Sequence, residues 1–436
     1  MGATTPIIPV YILGGLNEPL PLYTGGATIR TTHGEEASGE VTVDFAWLPT
    51  PQLAFNLDSA ADHWWNRPDP GYEISLDDFA GRPATDATVH LLTVGSTKAT
   101  QGRLGRFSVG GGVADRIVFL LPNWPSLLGS RLDDAESRGS WMGRVVLEDN
   151  EWRVTLDARR DLQTLEPALR TAHGYAFTHV GEIRRRDGDE FDIENGEALL
   201  RLLHWYLGFA RGFWTSPTLP VAFRGEQVVW REFAAPVISP WRANRSWFSG
   251  SDPAPIIRAF DGFSDRWKKS RWRESLELAV SWIVEANPSD PAERSIVEAQ
   301  VAIELLGWLI MVEDAGLISR TQWKNTEAVD NVRAVLKHIN HSVSIPPALA
   351  AAARLAAEEN WVDGPAALTG FRNRLVHPRD RAKQVLSMPV MGRVELAEFA
   401  SSYAELMLLF FCGYEGVYFD RAWRINGPVP WDTDGP

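Results

Sequence analysis

Three residues near the end of a C-terminal helix carry side chains suited to chemistry at a phosphate: Arg372, Asn373 and His377. Residues four apart on a helix lie one turn apart, so Asn373 and His377 share a polar side, with Arg372 next to it. Pro378 disfavours helical geometry at the residue before it, which places His377 in the last turn. The helix dipole favours a protonated imidazole there. A permanent cation, an amide and a protonatable ring are therefore expected on one surface.

These side chains fit RNA cleavage without a metal ion. That reaction needs a base for the 2′-hydroxyl, an acid for the departing 5′-oxygen and positive charge at the phosphate. Histidine suits both proton transfers near neutral pH. The planar guanidinium of Arg372 can bind two phosphate oxygens, and Asn373 can orient the ring or a phosphate without adding charge. No Asp/Glu cluster suggests a two-metal nuclease, so neither a metal ion nor another cofactor is predicted.

The run Arg372-Asn373-Arg374-Leu375-Val376-His377 resembles the Arg-Asn-x-x-x-His motif of HEPN domains, helical modules many of which are metal-independent ribonucleases. The resemblance covers roughly residues 270 to 425, and the layout of the whole chain resembles the ApeA type of anti-phage defence protein. It implies that two copies face each other in a homodimer and form one composite cleft for RNA. It also implies a role in abortive infection, with the N-terminal domain sensing a phage-derived trigger.

Supporting residues are predicted around this motif. Residues 371–383 hold one acid, Asp380, and five cations: Arg372, Arg374, Arg379, Arg381 and Lys383. Arg374 and Arg379 are therefore candidates for additional RNA contacts. Glu304 is an acid within the apolar run Val301 to Met311. It either faces solvent or, as the family resemblance implies, orients Arg372 from a neighbouring helix.

Composition is that of a globular protein of two or more domains. The chain has 436 residues, of which 44% are hydrophobic and 23% charged, with a net charge of −13. This charge argues against indiscriminate coating of nucleic acid and favours local RNA binding at the basic patch. The single cysteine, Cys412, fits a reducing cytosol. Neither a signal peptide nor 18 uninterrupted apolar residues is present, so we expect a cytoplasmic protein with no membrane partner.

Periodicity divides the chain near residue 240 and predicts an α+β multidomain fold. Residues 1–239 read as a β-rich recognition or sensor domain with one strong helix, Gly196 to Trp214. This domain is predicted to contain a hairpin over residues 144–156 and a loop from His33 to Glu40. Residues 240–436 read as an all-α HEPN-like bundle. Its predicted helices are Ile256–Trp267, Trp272–Glu285, Ser295–Asp314, Thr326–His338, Pro347–Asn360, Pro365–His377 and Val394–Phe411.

A second function remains open at this point. The same helical module could be non-catalytic and use its basic patch to bind RNA or a protein, or only to dimerise. The intact Arg, Asn and His favour the endoribonuclease, and the acidic surface favours the binding module.

Overall fold

The computed structural model describes residues 4–58, 71–77, 84–94, 97–134, 139–243, 246–248, 250–287, 291–376, 385 and 387–432. They form two compact units. The first comprises Met1–Val146, Asn150–His204 and Thr215–Ala243; the second comprises Leu147–Asp149, Trp205–Trp214 and Asn244–Pro436. The main division therefore lies close to the predicted boundary, but two short segments of the predicted N-terminal domain belong to the second unit.

The first unit begins with a closed barrel in the strand order β1-β2-β3-β6-β5-β4. Its strands are β1 (Leu20–Thr31), β2 (Glu36–Ala46), β3 (Gln52–Asp58), β4 (Tyr72–Leu76), β5 (Ala84–Val94) and β6 (Thr97–Leu104). Val41, Val43 and Phe45 alternate along β2 and are buried in the barrel core. The predicted loop from His33 to Glu40 is wrong, because β2 already starts at Glu36 and only a short turn containing Gly34 separates it from β1.

An eight-stranded antiparallel sheet follows, in the order β10-β11-β12-β13-β9-β15-β16-β7. Its strands are β7 (Phe107–Gly110), β9 (Arg116–Pro122), β10 (Ser130–Asp134), β11 (Gly139–Glu148), β12 (Trp152–Ala158), β13 (Phe177–Arg185), β15 (Thr218–Arg224) and β16 (Gln227–Phe233). The predicted hairpin over residues 144–156 is confirmed as β11 and β12. Two further strands, β8 (Val113–Ala114) and β14 (Phe191–Asp192), pair separately.

Two helices interrupt these strands, α1 (Leu162–Ala172) and α2 (Ile193–Arg211). The predicted helix Gly196 to Trp214 is α2, displaced by three residues at each end. Helix α1 was not predicted. Its buried residues Leu162, Leu165 and Leu169 have helical spacing, but Pro167 inside the segment masks that pattern.

The second unit is mainly helical. Its described helices are α3 (Ala254–Lys268), α4 (Ser270–Ala286), α5 (Ala292–Trp308), α6 (Arg320–Asn325), α7 (Ala328–His338), α8 (Ala350–Glu358), α9 (Gly364–Val376) and α10 (Val390–Phe411). Helix α5 continues as a π-helical segment, Leu309–Asp314. Helices α5 and α10 pack against each other through buried faces, and α4, α8 and α9 pack around them.

The expectation of an all-helical second domain is corrected by a terminal hairpin. Strands β17 (Val417–Asp420) and β18 (Ile425–Pro428) pair antiparallel after α10. The chain is thus an α+β multidomain protein whose second unit is not purely helical.

One helical segment, Ala292–Asp314, is long and apolar enough to cross a membrane. Its most apolar window is 67% buried inside the protein. The apolar residues of this segment therefore face neighbouring helices, as in the core helix of a globular domain.

Candidate functional site

Helix α9, which carries the Arg-Asn pair, is fixed at its start by Asp363. One oxygen of this carboxylate accepts a hydrogen bond from the backbone N–H of Ala366 at 2.8 Å, which satisfies a donor in the first turn. The other oxygen pairs with the Arg333 Nε on α7 at 2.8 Å. Gly364 allows the first turn of α9 to lie close to Phe399 on α10, because a Cβ at this position would lie 2.4 Å from the Phe399 ring.

Helix α9 has one buried side. Leu368 and Phe371 are buried, whereas Leu375 is half-buried. The Trp361 ring lies 6.4 Å from the Phe371 ring at an interplanar angle of 70°. Helix α9 is therefore held in the bundle by its middle turns, and its last turn is more exposed.

The two arginines of the motif have different surroundings. The Arg374 guanidinium forms an ion pair with Glu359 and lies 5.1 Å from the centre of the Trp361 ring. Arg372 donates from Nη1 to the Asn373 Oδ1 at 3.2 Å. Within the described part of the chain, Arg372 forms no ion pair with a carboxylate. The Arg374 guanidinium thus makes contacts within the protein, whereas the charge of Arg372 is available to a ligand.

Asn373 is exposed on the same turn, as predicted. Its hydrogen bond from Arg372 orients its amide oxygen toward the guanidinium, and its amide N–H groups are left for an acceptor. The pair therefore presents N–H donors from both side chains to solvent. This is a suitable arrangement for the oxygens of a phosphate.

Glu304 forms neither a hydrogen bond nor an ion pair with Arg372 in the described structure. Its Oε1 accepts a hydrogen bond from Gln300 Nε2 at 3.2 Å. The side chain lines a cavity of about 60 Å³ together with residues of α6 and α7, including Trp323 and Asn331. No ion pair joins Glu304 to Arg372 among the described residues, so the expected support from α5 is not formed in this conformation.

His377 and Arg379 lie outside the described residues. Helix α9 is described up to Val376, whose side chain is 45% exposed. The imidazole and the additional basic residues after it therefore stay predictions from the sequence.

Sequence reasoning missed a buried ion cluster in the same unit. Arg421, between β17 and β18, donates to Glu398 at 2.6 Å and to Glu405 at 2.9 Å. Burial raises the pKa of Glu405 to about 7, although the Arg421 cation opposes this shift. Glu398 and Glu405 are two turns apart on α10, and this spacing is the sequence signal that could have revealed the cluster.

No group of three or more His, Cys, Asp or Glu side chains is placed to hold a metal ion within the part of the chain that the structure describes. The metal-free character of the reaction nevertheless stays a prediction, because it rests on the chemistry of the motif.

Comparison with protein families places this chain near the YopA proteins. The family model of the YopA central domain matches residues 111–244, which lie mostly in the eight-stranded sheet unit. The model of the YopA C-terminal domain matches residues 269–429, which include Arg372, Asn373 and His377. A curated relative, the SPbeta prophage-derived uncharacterized protein YopA of Bacillus subtilis (strain 168), is 28% identical over 437 residues. The similarity covers 96% of each chain. No solved structure shows significant similarity to the chain.

Proposed function

We propose that this protein is a metal-independent endoribonuclease of the HEPN type. Arg372 would stabilise the phosphate, Asn373 would orient it, and His377 would transfer protons. No cofactor is required. The second unit would be the nuclease, and the β-rich first unit would sense a phage-derived trigger in the cytoplasm.

The observation that carries this proposal is the contrast between two neighbouring arginines. Arg374 is neutralised by Glu359, whereas the half-buried Arg372 forms no ion pair among the described residues and donates a hydrogen bond to the uncharged Asn373. A guanidinium without a carboxylate partner can form bidentate bonds to phosphate oxygens. Asn373 is one turn before His377 in the sequence and Arg372 adjoins Asn373, which would bring cation and imidazole to the same phosphate.

The proposed reaction balances without an external reagent. The 2′-oxygen forms a bond to phosphorus while the bond from phosphorus to the 5′-oxygen breaks. One imidazole accepts the 2′-hydroxyl proton, and another delivers a proton to the departing oxygen. A homodimer supplies two imidazoles from two copies of His377. The products would be a 2′,3′-cyclic phosphate and a free 5′-hydroxyl.

The phage connection rests on resemblance and on one relative. The similar Bacillus subtilis protein is prophage-derived by name, and the layout of this chain resembles ApeA-type defence proteins. RNA cleavage triggered by an infecting phage would suit a protein encoded by a prophage. We therefore propose a role in anti-phage defence for the present chain.

The direct test is incubation of the purified full-length protein with tRNA and unstructured RNA, with and without EDTA. Cleavage that persists in EDTA and leaves 2′,3′-cyclic phosphate ends supports the proposal. Cleavage that stops in EDTA and returns with Mg²⁺ contradicts it, because the motif would then depend on a metal ion.

A non-catalytic dimerisation or binding module is the second candidate, and exposed apolar side chains favour it. Val376 on α9 is 45% exposed, and Val390 and Met391 on α10 are 62% and 59% exposed. Exposed apolar groups of this kind are typical of association surfaces. A folded dimer that binds RNA but leaves it intact would establish this candidate.

A further inference from the structure

An aromatic pocket lies in the second unit between the start of α3 and the terminal hairpin. Its volume is about 400 Å³, within the range of small-molecule sites. It is lined by Phe248, Asp252, Ala254, Pro255, Arg258, Tyr414, Val417, Tyr418, Phe419 and Asn426. We call this the aromatic pocket. It shares no residue with the Arg-Asn-x-x-x-His motif.

The tyrosines of the aromatic pocket use their hydroxyl groups within the protein. Tyr414 donates to the Val417 carbonyl at 2.6 Å, and Tyr418 donates to Asp420 Oδ2 at 2.8 Å. The Trp247 ring supports Tyr414 edge-on at 5.6 Å. Because the polar ends are already satisfied, the tyrosines line the pocket with their rings, although both rings are buried, as is that of Phe248. Phe419 is half-buried and offers the ring surface for a flat aromatic ligand.

One cation stands at the rim of this apolar lining. Arg258 is exposed, and its Nη1 donates a long hydrogen bond of 3.4 Å to the Glu415 carbonyl. In the described ranges, no carboxylate forms an ion pair with Arg258. A planar guanidinium beside aromatic rings can bind an anionic group while the rings bind a base.

The single acid of the pocket restricts the ligand further. Asp252 Oδ1 accepts the Ala254 backbone N–H at 2.9 Å, which leaves its other oxygen able to accept a hydrogen bond. That oxygen can accept from a ribose hydroxyl or an exocyclic amine. Its negative charge also disfavours ligands with more than one phosphate beside a single arginine.

We propose that the aromatic pocket binds one ribonucleotide, with the base against the aromatic rings and one phosphate on Arg258. The nucleotide is either a free nucleoside monophosphate or one residue of an RNA strand. This inference does not depend on the proposed ribonuclease activity, because it requires no cleavage and none of the motif residues.

Calorimetric titration of the full chain tests the site, with AMP, GMP, CMP and UMP as probes and adenosine as the ligand without phosphate. At least one monophosphate should bind saturably. Arg258→Gln should weaken that binding about tenfold or more, since a charge-assisted bond is lost. The matched control is Arg354→Gln on α8, an exposed arginine outside the pocket, and it should leave binding unchanged.

A second variant, Val417→Trp, keeps the test decisive if Arg258→Gln does not fold. Val417 is 46% exposed at the pocket wall, so Val417→Trp should fill the space and abolish binding while thermal melting stays near the wild-type value. If no monophosphate and no RNA binds, or if both pocket variants bind like the wild type, the inference is wrong.

Competition separates the two sources of the nucleotide. A five-residue RNA without terminal phosphates that displaces the bound monophosphate identifies an RNA strand as the ligand. Failure to displace it identifies the free nucleotide, and either result supports the site. Titrating His377→Ala as well keeps the two proposals apart, because nucleotide binding by this variant requires no nuclease activity.

Discussion

The guanidinium of Arg374 lies over the Trp361 ring, 5.1 Å from its centre, and the same ring contacts Phe371 edge-on. One tryptophan therefore links the basic surface of α9 to its buried side. Arg372, two residues earlier, takes no part in this contact. Arg374 therefore has a structural role, whereas the charge of Arg372 is available to a ligand.

Alanine at each arginine should have opposite effects. Arg372→Ala should lower RNA cleavage by at least about 100-fold, because it removes a positive charge that stabilises the transition state. It should leave the melting temperature near the wild-type value, because it removes no ion pair within the described residues. Arg374→Ala should cost roughly 1 to 2 kcal/mol of stability through loss of the Glu359 and Trp361 contacts. Cleavage rates and thermal melts of both variants provide the measurement. A wild-type cleavage rate for folded Arg372→Ala contradicts the proposed role.

His377→Ala should lower cleavage by at least about 100-fold, the lower end for loss of a general acid or base. Mixing it with Arg372→Ala subunits places one imidazole and one guanidinium in each mixed cleft, so any recovered activity should stay well below that of the wild type. Light scattering should report a dimer for each variant. An active monomer argues against a shared cleft.

Phe371→Ala should unfold the second unit more readily without touching the polar surface. Phe371 is fully buried beside Trp361, and deleting such a ring costs about 3 to 5 kcal/mol. Phe371→Leu keeps most of the volume and should cost less than half of that. Urea unfolding measures both. Equal, small effects of the two substitutions contradict the packing described for α9.

Acid should destabilise the first unit through His179 on β13. Burial lowers the pKa of His179 to about 3, whereas an unfolded histidine titrates near 6.5. Between these values the unfolded chain binds the extra proton, so this contribution is fully present above pH 6.5. It falls by up to about 1.4 kcal/mol per pH unit below that. Urea unfolding at pH 7 and pH 5 should show a smaller pH dependence for His179→Gln, and an unchanged dependence contradicts this assignment.

Arg421→Met should destabilise the second unit by about 3 to 5 kcal/mol at pH 8, because Glu398 and Glu405 lose their shared cation. The pKa of Glu405 is raised to about 7, so this carboxyl is protonated at pH 5 and needs no cation there. The loss should therefore be smaller at pH 5 than at pH 8. A larger loss at pH 5 contradicts the direction of the Glu405 shift.

Much of the fold follows from local patterns. Alternation located the hairpin strands β11 and β12, whose residues alternate between more and less buried positions. Helical spacing of apolar residues located α2, α4 and α5. The errors have physical causes. Pro167 concealed α1, and the polar residues from His33 to Glu40 concealed the start of β2, which is stabilised by hairpin pairing with the end of β1.

The candidate site was predictable in part. The exposed position of Asn373 and the burial of Phe371 follow from helix geometry alone. The partners of Arg374 could not be predicted, because Glu359 and Trp361 lie in the segment between α8 and α9. The position of the Glu304 side chain also depends on how α7 packs on α5. The aromatic pocket has no local pattern, since its lining comes from residues more than 150 positions apart.

The chain passes between its two units five times, and α2 contributes residues to both, with the division after His204. Within the second unit, Tyr206 from this helix packs edge-on against Phe260, and Phe209 stacks on Trp247. A gene fragment encoding only residues 240–436 would therefore leave those aromatic partners without Tyr206 and Phe209. We expect the two units to be inherited together, because a single recombination point cannot exchange one unit without dividing the other.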